Sequence, residues 1–474
     1  MQAAPRVDLH MPGATSALRL APPRKAKVGL ALLTAIVQWW LLNQQNKTDD
    51  MNDSIIAFKA HRQLKKFLGR FSPHFHKPTV QFIGQALYGI QASGDVKLAS
   101  WVKMLNEGIS AKKVEDRLSR NLSLEGMDRR IQEIVIRDSR GFVKKDTLIV
   151  IDPTDVCKEN ARKMQYLYKV RDGSRSKENG DPLLVNGYTG CMAIACNSGN
   201  RRIVPLHFSL WSTIAPDYHS ENTELGRILD QIRSVHGTNG IYVYDRGGDN
   251  IELFKYFVKH RLDFIVRLKR RNLISWKGTW DSEKLAAQVT MSHRATVRFD
   301  SHGRQVKVPI QFGAIPVELP NIPDVPLHLV VVKGFGSHPM ILLTSLAKEN
   351  TYKSLWQVVE GYLSRWRVED TIRYIKQAYN LEDVRLMKYT KLKNMAALVL
   401  AVSYFAAAWL GHNVKAEILV EHLTQMSRQI CQTPDFHYYA LAAGLKMAFM
   451  RHGKWSRITD ERKSPQMELK LDWG

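Results

Sequence analysis

Cysteine is scarce in this chain: Cys157, Cys191, Cys196 and Cys431 are the four among 474 residues. Four thiols are too few for a disulfide-stapled scaffold of this length. Cys191 and Cys196 form a C-x4-C inside an apolar run, without the second ligand pair a structural zinc site needs. Buried free thiols in a reducing compartment are the expectation. Apolar runs long enough for a membrane are also lacking. Val28–Leu42 spans fifteen residues, short of the about 20 that cross a bilayer. It follows Arg24, Lys25 and Lys27 and leads into NQQNKTDD, a poor signal-peptide cleavage site. It reads as an accessory helix or an upstream extension. Met395–Leu410 is interrupted by Ser403 and Tyr404 and reads as a core helix, so no membrane is expected as a partner. Acidic residues are the third shortage. Lys and Arg total 69 against 45 Asp and Glu, a net charge of +24 with a pI near 9.8. The basic residues run along the whole length, which favours a polyanion partner, nucleic acid ahead of anionic membrane.

What is present divides the chain into stretches of different texture. Residues 1–49 begin Pro-, Ala- and Arg-rich and read as a disordered or accessory extension. Residues 50–140 read as all-helical. TVQFIGQALYGI, VKLASWVKMLNEG and SAKKVEDRLSRNL carry apolar residues at three- and four-residue spacing, with Ser110 placed to cap the last. Short helices with Lys and Arg on their outer faces suit a helix-turn-helix-like DNA-binding unit, and equally a plain helical domain.

Two buried strands then end in aspartate. LIVI (Leu148–Ile151) is followed at once by Asp152, with Pro153 placed to stop the strand. A carboxylate at a strand tip leaves the sheet edge, where a ligand reaches it; a turn-initiating Asp before Pro is the alternative. Asp146 and Asp155 are nearby competitors. YTGCMAIAC and RRIVPLHFSLW read as a hairpin around NSGN, and Ser220 opens a helical pattern. IYVY is the second strand and Asp245 its end. RGG turns the chain into a helix that Asp249 or Asn250 can cap, and DFIVRLKRR follows as a further strand. The order strand–Asp, hairpin, helix, strand–Asp, helix, strand is, by analogy of fold, that of an RNase H-like domain.

The stretch 361–383, GYLSRWRVEDTIRYIKQAYNLED, carries the third acid. Tyr362, Arg365, Glu369 and Lys376 stand at offsets 0, 3, 7 and 14. At about 100° per residue they share an arc of roughly 60° on one helix. An acid on such a stripe can hold a metal, the cations can hold phosphate and the phenol can bond or stack. The alternative is a surface helix with salt bridges. The pattern Y-x2-R-x3-E-x6-K resembles the signature of DDE transposases of the insertion-sequence-4 family, and DPT and DRGGD resemble that family's first and second aspartate motifs.

The resemblance implies a catalytic triad of Asp152, Asp245 and Glu369. It also implies that Tyr362, Arg365 and Lys376 hold phosphates of a transposon end. Arg246 and Arg267, beside the strand tips, are further candidates for DNA contact. The 124 residues between Asp245 and Glu369 are too many for one connection, and their alternating β-branched content reads as an insertion. The expected layout is an α/β protein: a helical DNA-binding domain at 50–140, an RNase H-like core at 141–271 and 346–411, a β-rich insertion at 272–345, and a helical dimerisation region at 412–474. Phosphodiester cleavage needs a deprotonated nucleophile and charge relief at the leaving oxygen, which two hard cations supply through oxygen ligands. Two Mg2+ or Mn2+ ions are therefore the expected cofactors, and without them three gathered carboxylates repel one another. The implied activity is cleavage at terminal inverted repeats and joining of 3′-OH ends to target DNA. The expected partner is double-stranded DNA, bound by a homodimer in a synaptic complex, in the cytoplasm and associated with the nucleoid.

Overall fold

The fold is a mixed sheet clasped by helices, seen in a computed structural model that describes residues 8–9, 53–176, 181–199, 202–269, 273–301, 304–346, 349–411, 417–428 and 437–452. The apolar segment Val28–Leu42 and Cys431 lie outside these residues. After the two-residue strand β1 (Asp8–Leu9), five helices precede the sheet: α1 (Asp53–Leu68), α2 (Lys77–Ser93), α3 (Leu98–Leu105), α4 (Ala111–Asn121) and α5 (Met127–Asp138). α2 is buried along its length from Phe82 to Ala92 and starts with Pro78 in its first turn, where the missing N–H costs nothing. Ser110 occupies the N-cap position of α4 but makes no side-chain cap bond, contrary to the capping role expected of it.

Strands β2 (Leu148–Cys157), β3 (Tyr168–Ser176), β4 (Pro182–Cys196) and β5 (Ile203–Trp211) follow, then α6 (Glu221–His236), β6 (Ile241–Tyr244), α7 (Ile251–Lys259) and β7 (Asp263–Arg267). β4 and β5 form the expected hairpin. Ser220 caps α6 by accepting from the Thr223 N–H, and Asn250 caps α7 by accepting from Glu252. β4 pairs antiparallel with both β5 and β2, while β6 runs parallel to β2 and β7 parallel to β6. The lateral order is thus β5–β4–β2–β6–β7, with β2 and β6 side by side at its centre.

Pro153 does not stop β2. Pairing with β4 runs on to Cys157, whereas pairing with β6 ends at Val150. Beyond Val150 the β6 side of the strand is an open edge, where a residue lacking an N–H is tolerated. Asp152 therefore sits on a strand that continues, just past the point where its parallel neighbour leaves.

The segment between β7 and the glutamate helix holds β8 (Leu273–Ser275), β9 (Thr279–Asp281), α8 (Ser282–Gln288), β10 (His293–Ser301), β11 (Arg304–Leu319), β12 (Ile322–Lys333) and β13 (Met340–Thr344). β10 to β13 are an antiparallel meander, and β13 pairs with β7, so this β-rich segment extends the central sheet. Next come α9 (Tyr352–Leu363), α10 (Trp366–Ala378), α11 (Tyr389–Tyr404), α12 (Glu417–Arg428) and α13 (His437–His452). α9 lies so close to the sheet that a Cβ on Gly361 would stand 2.9 Å from Ile265 Cδ1. α11, prolonged by a π-turn over Phe405–Leu410, is apolar and long enough to cross a membrane, yet it is buried within the fold against β5 and α5. α13 packs on α1 and α2, where Gln91 Nε2 donates to the Ala442 carbonyl at 2.7 Å. The N- and C-terminal helices thereby form one layered helical body.

Candidate active site

The first two acids are set by strand ends. Gly240 enters β6 with φ +99°, and a Cβ there would stand 2.4 Å from Ile149 Cδ1, so only glycine lets the chain approach β2 this closely. β6 is fully buried and ends at Tyr244, leaving Asp245 partly exposed at the sheet edge. Its Oδ1 accepts from the Gly247 N–H at 2.7 Å, which fixes the RGG turn. A Cβ on the buried Gly248 would meet Tyr244 Cβ at 2.4 Å. Asp249 does not cap α7; its carboxylate accepts from the Lys269 N–H at 2.5 Å and ties the turn to the end of β7.

The third acid arrives on α10. Tyr362 and Glu369 do not share one unbroken helix: α9 ends at Leu363, and α10 begins at Trp366. Ser364 Oγ donates back to the Glu360 carbonyl at 2.9 Å, and the N–H groups of Arg365, Arg367 and Val368 reach only three residues back. A side chain competing for a helical carbonyl bends the axis. Tyr362 is consequently buried, with the Arg365 guanidinium 5.9 Å over its ring.

Arg365 joins the acids electrostatically. Its Nη2 lies 2.5 Å from Glu369 Oε1 and its Nη1 3.7 Å from Asp152 Oδ1. Its Nε is buried without a hydrogen-bond partner among the described residues. Burial pushes the Asp152 carboxyl up to about 7; Arg365 pulls it down, and the charges of Asp245 and Glu369 push it further up. The three acids therefore share one field at one edge of the sheet. Among the described residues no three His, Cys, Asp or Glu side chains are drawn together as a ready ligand group. Arg365, paired with Glu369 and beside Asp152, occupies the place of a counter-ion.

Lys376, expected on phosphate, is also engaged. Its Nζ donates to the Asp155 carbonyl at 2.5 Å and lies 3.2 Å from Glu382 Oε1, which in turn accepts from the Cys157 N–H. Arg246 is exposed in the turn after Asp245, and Arg267 is half-buried at the end of β7. Sequence reasoning missed Lys158 and Glu382. Lys158 is buried and donates to the carbonyls of Glu382 and Val384 at 2.5 and 2.6 Å. The two segments are more than 220 residues apart, so no local pattern links them. Cys191 and Cys196 are buried free thiols, as expected, and Cys157 is half-buried. A cleft of about 1360 Å³ opens from Asp152 and Glu369 along the end of β2.

The family model for the transposase DDE domain matches residues 144–405, more than half of the chain. The chain belongs to the DDE transposase family. No curated protein matches it. Among solved structures, it is similar to the cryo-EM structure of the piggyBac transposase synaptic complex with hairpin DNA. There the TM-score is 0.41 at 12% identity, covering 88% of this chain and 84% of that one, a likeness too low to argue from. Membership gives the chain its class, that of a transposase enzyme, and Asp152, Asp245 and Glu369 lie within the matched span.

Proposed function

We propose that this transposase is of the insertion-sequence-4 family. In this reading it cleaves phosphodiester bonds at the terminal inverted repeats of its element and joins the 3′-OH ends to target DNA. The observation that carries the proposal is the coupling of three carboxylates at one sheet edge, with Asp152 raised to about 7 by burial and by its two acidic neighbours. The strand order β5–β4–β2–β6–β7, with β4 antiparallel to its neighbours and β2, β6 and β7 parallel, supports an RNase H-like core.

Asp152, Asp245 and Glu369 would hold two divalent cations, Mg2+ or Mn2+. The donor set fits in its chemistry: the oxygens are hard ligands, and Arg365, which lies against Asp152 and Glu369, leaves Asp152 still raised. Bound ions would supply a deprotonated nucleophile and charge relief at the leaving oxygen. The rest falls to the chain's own side chains. Arg365 lies against Asp152 and Glu369 and offsets their charge, and its Nε, without a hydrogen-bond partner among the described residues, makes that pose a costly one, by about 1–3 kcal/mol. Turning toward a phosphate satisfies the fork, while the Tyr362 ring beneath limits where it can go. Arg246 and Arg267 contact the backbone beside the strand ends, and Lys376 holds the Asp155 segment from which DNA is approached. The helical layer at 50–140 binds DNA, the helices beyond 412 support a homodimer in the synaptic complex, and the protein acts on the nucleoid in the cytoplasm.

The test uses a supercoiled plasmid carrying the reading frame with its native flanking DNA, incubated with purified protein and Mg2+. Excised linear element and integrated product are expected from the wild type and from none of Asp152→Asn, Asp245→Asn and Glu369→Gln. Normal cutting by one of these variants removes that residue from the site. Cutting without joined product by the wild type removes strand transfer from the reading.

A further inference from the structure

The cleft has a second wall, away from the acids, that nothing above assigns. It is made of the loop after β2 and the segment after α10, and the two are laced together. Lys158 Nζ bonds the carbonyls of Glu382 and Val384. The Gln165 N–H donates to the Met387 carbonyl at 2.9 Å, and Gln165 Oε1 accepts from the Tyr389 N–H at 3.0 Å. Asn186 Nδ2 holds the Ala161 carbonyl at 2.8 Å, and the Tyr188 hydroxyl holds that of Gln165 at 2.7 Å. A loop with so many of its backbone groups bonded is fixed in place.

On this frame stand Arg162, Lys163 and Arg385, all exposed and all lining the cleft. The acids of the same wall are already paired: Glu159 and Asp172 with Arg175, Glu382 with Lys376, and Asp383 with Lys97. Arg162, Lys163 and Arg385 make no ion pair among the described residues. Fixed backbone with three unpaired cations is what a surface for a polyanion requires, because the ordering cost of the loop is met before binding.

The distance suits DNA. From Asp152 to Lys158 is six residues of extended chain, about 20 Å. That is about six base-pair rises at 3.4 Å each. Arg162, Lys163 and Arg385 line the same cleft as Asp152 and Glu369, so a duplex with its reacting phosphodiester at Asp152 runs beside these cations. We infer that Arg162, Lys163 and Arg385 form a phosphate track that holds the duplex being cut on the far side of the scissile bond. This rests on the reading of the site as one that cleaves DNA.

The probe is a 30-base-pair duplex of arbitrary sequence, titrated with the full chain at several salt concentrations. The comparison is wild type against the triple variant Arg162→Ala, Lys163→Ala, Arg385→Ala. Each lost phosphate contact lowers the log–log salt slope by about 0.9, so a drop of about 2 to 3 is expected. The variant should melt with the wild type, because none of the three makes an ion pair among the described residues, and its nicking of supercoiled plasmid with Mg2+ should fall in step with its DNA affinity. A triple variant that melts with the wild type and binds with its full affinity and slope overturns the track. A wild type that binds and cuts no DNA overturns the underlying reading instead, which the first comparison distinguishes.

Discussion

Replacing Asp152 by Asn should make the protein more stable and inactive, and the gain should depend on pH. Asp152 is raised from an ordinary 3.8 to about 7, chiefly by burial. A carboxyl raised on folding favours the protonated state, so the fold is hurt when the group must ionise. The penalty is absent below the unfolded value near 4, grows as pH rises toward 7, and is complete above it. The displacement of about three units corresponds to about 4 kcal/mol. The side chain is only 15% exposed, so little of this is lost to solvent.

The assay is urea unfolding of wild type and Asp152→Asn at pH 5, 6 and 8 in chelator. Near pH 8 the variant should be more stable by about 4 kcal/mol, and at pH 5 by less than half of that. Adding 10 mM Mg2+ at pH 8 should raise the wild-type midpoint and leave the variant's nearly unchanged, because only the wild type gains a ligand for its charge. Equal stability of the two proteins at pH 8, or a difference that does not vary with pH, would refute the argument that Asp152 is held against its own charge.

Three further outcomes follow from the same geometry. Lys376→Ala should cost about 1–2 kcal/mol of unfolding free energy by stranding Glu382 and the Asp155 carbonyl, while leaving the salt slope of DNA binding unchanged; a slope lower by about one would mean phosphate contact instead. Gly248→Ala pushes a Cβ against Tyr244 and should cut cleavage more than tenfold with DNA affinity retained, read by plasmid nicking beside a filter-binding titration. With about ten phosphate contacts, DNA binding by the wild type should fall with a log–log salt slope approaching −9, and a flat dependence would point to another partner.

How much of this was legible depends on whether the signal is local. LIVI and IYVY consist of Leu, Ile, Val and Tyr, without a charged residue, and each is followed directly by an acid, so both strand tips could be read from a window of five residues. The caps at Ser220 and Asn250 are equally local. The kink at Ser364 was hidden because the offsets of Tyr362, Arg365, Glu369 and Lys376 fit a straight helix as well as a broken one, and only the bond from Ser364 Oγ to Glu360 decides between them. Pro153 misled for a related reason. A proline stops a strand only where its missing N–H is needed, and that depends on β6 having left at Val150. The lacing of Lys158 to Glu382 is set by tertiary packing alone, and no spacing announces it.

The cations of the signature therefore have two kinds of work, and the structure separates them. Lys376 spends its donors on a neighbouring strand and on Glu382, which also holds the Cys157 N–H, so its charge is part of what keeps the β2 extension beside α10. Arg365 is different. It bridges two acids yet leaves a buried donor without a partner among the described residues, and its guanidinium lies 5.9 Å over the buried Tyr362 ring. A side chain placed for stability alone would have its fork filled. In the proposed reading, a side chain that exchanges carboxylate for phosphate needs a resting pose that is occupied but not optimal, and Arg365, between the end of α9 at Leu363 and the start of α10 at Trp366, holds such a pose.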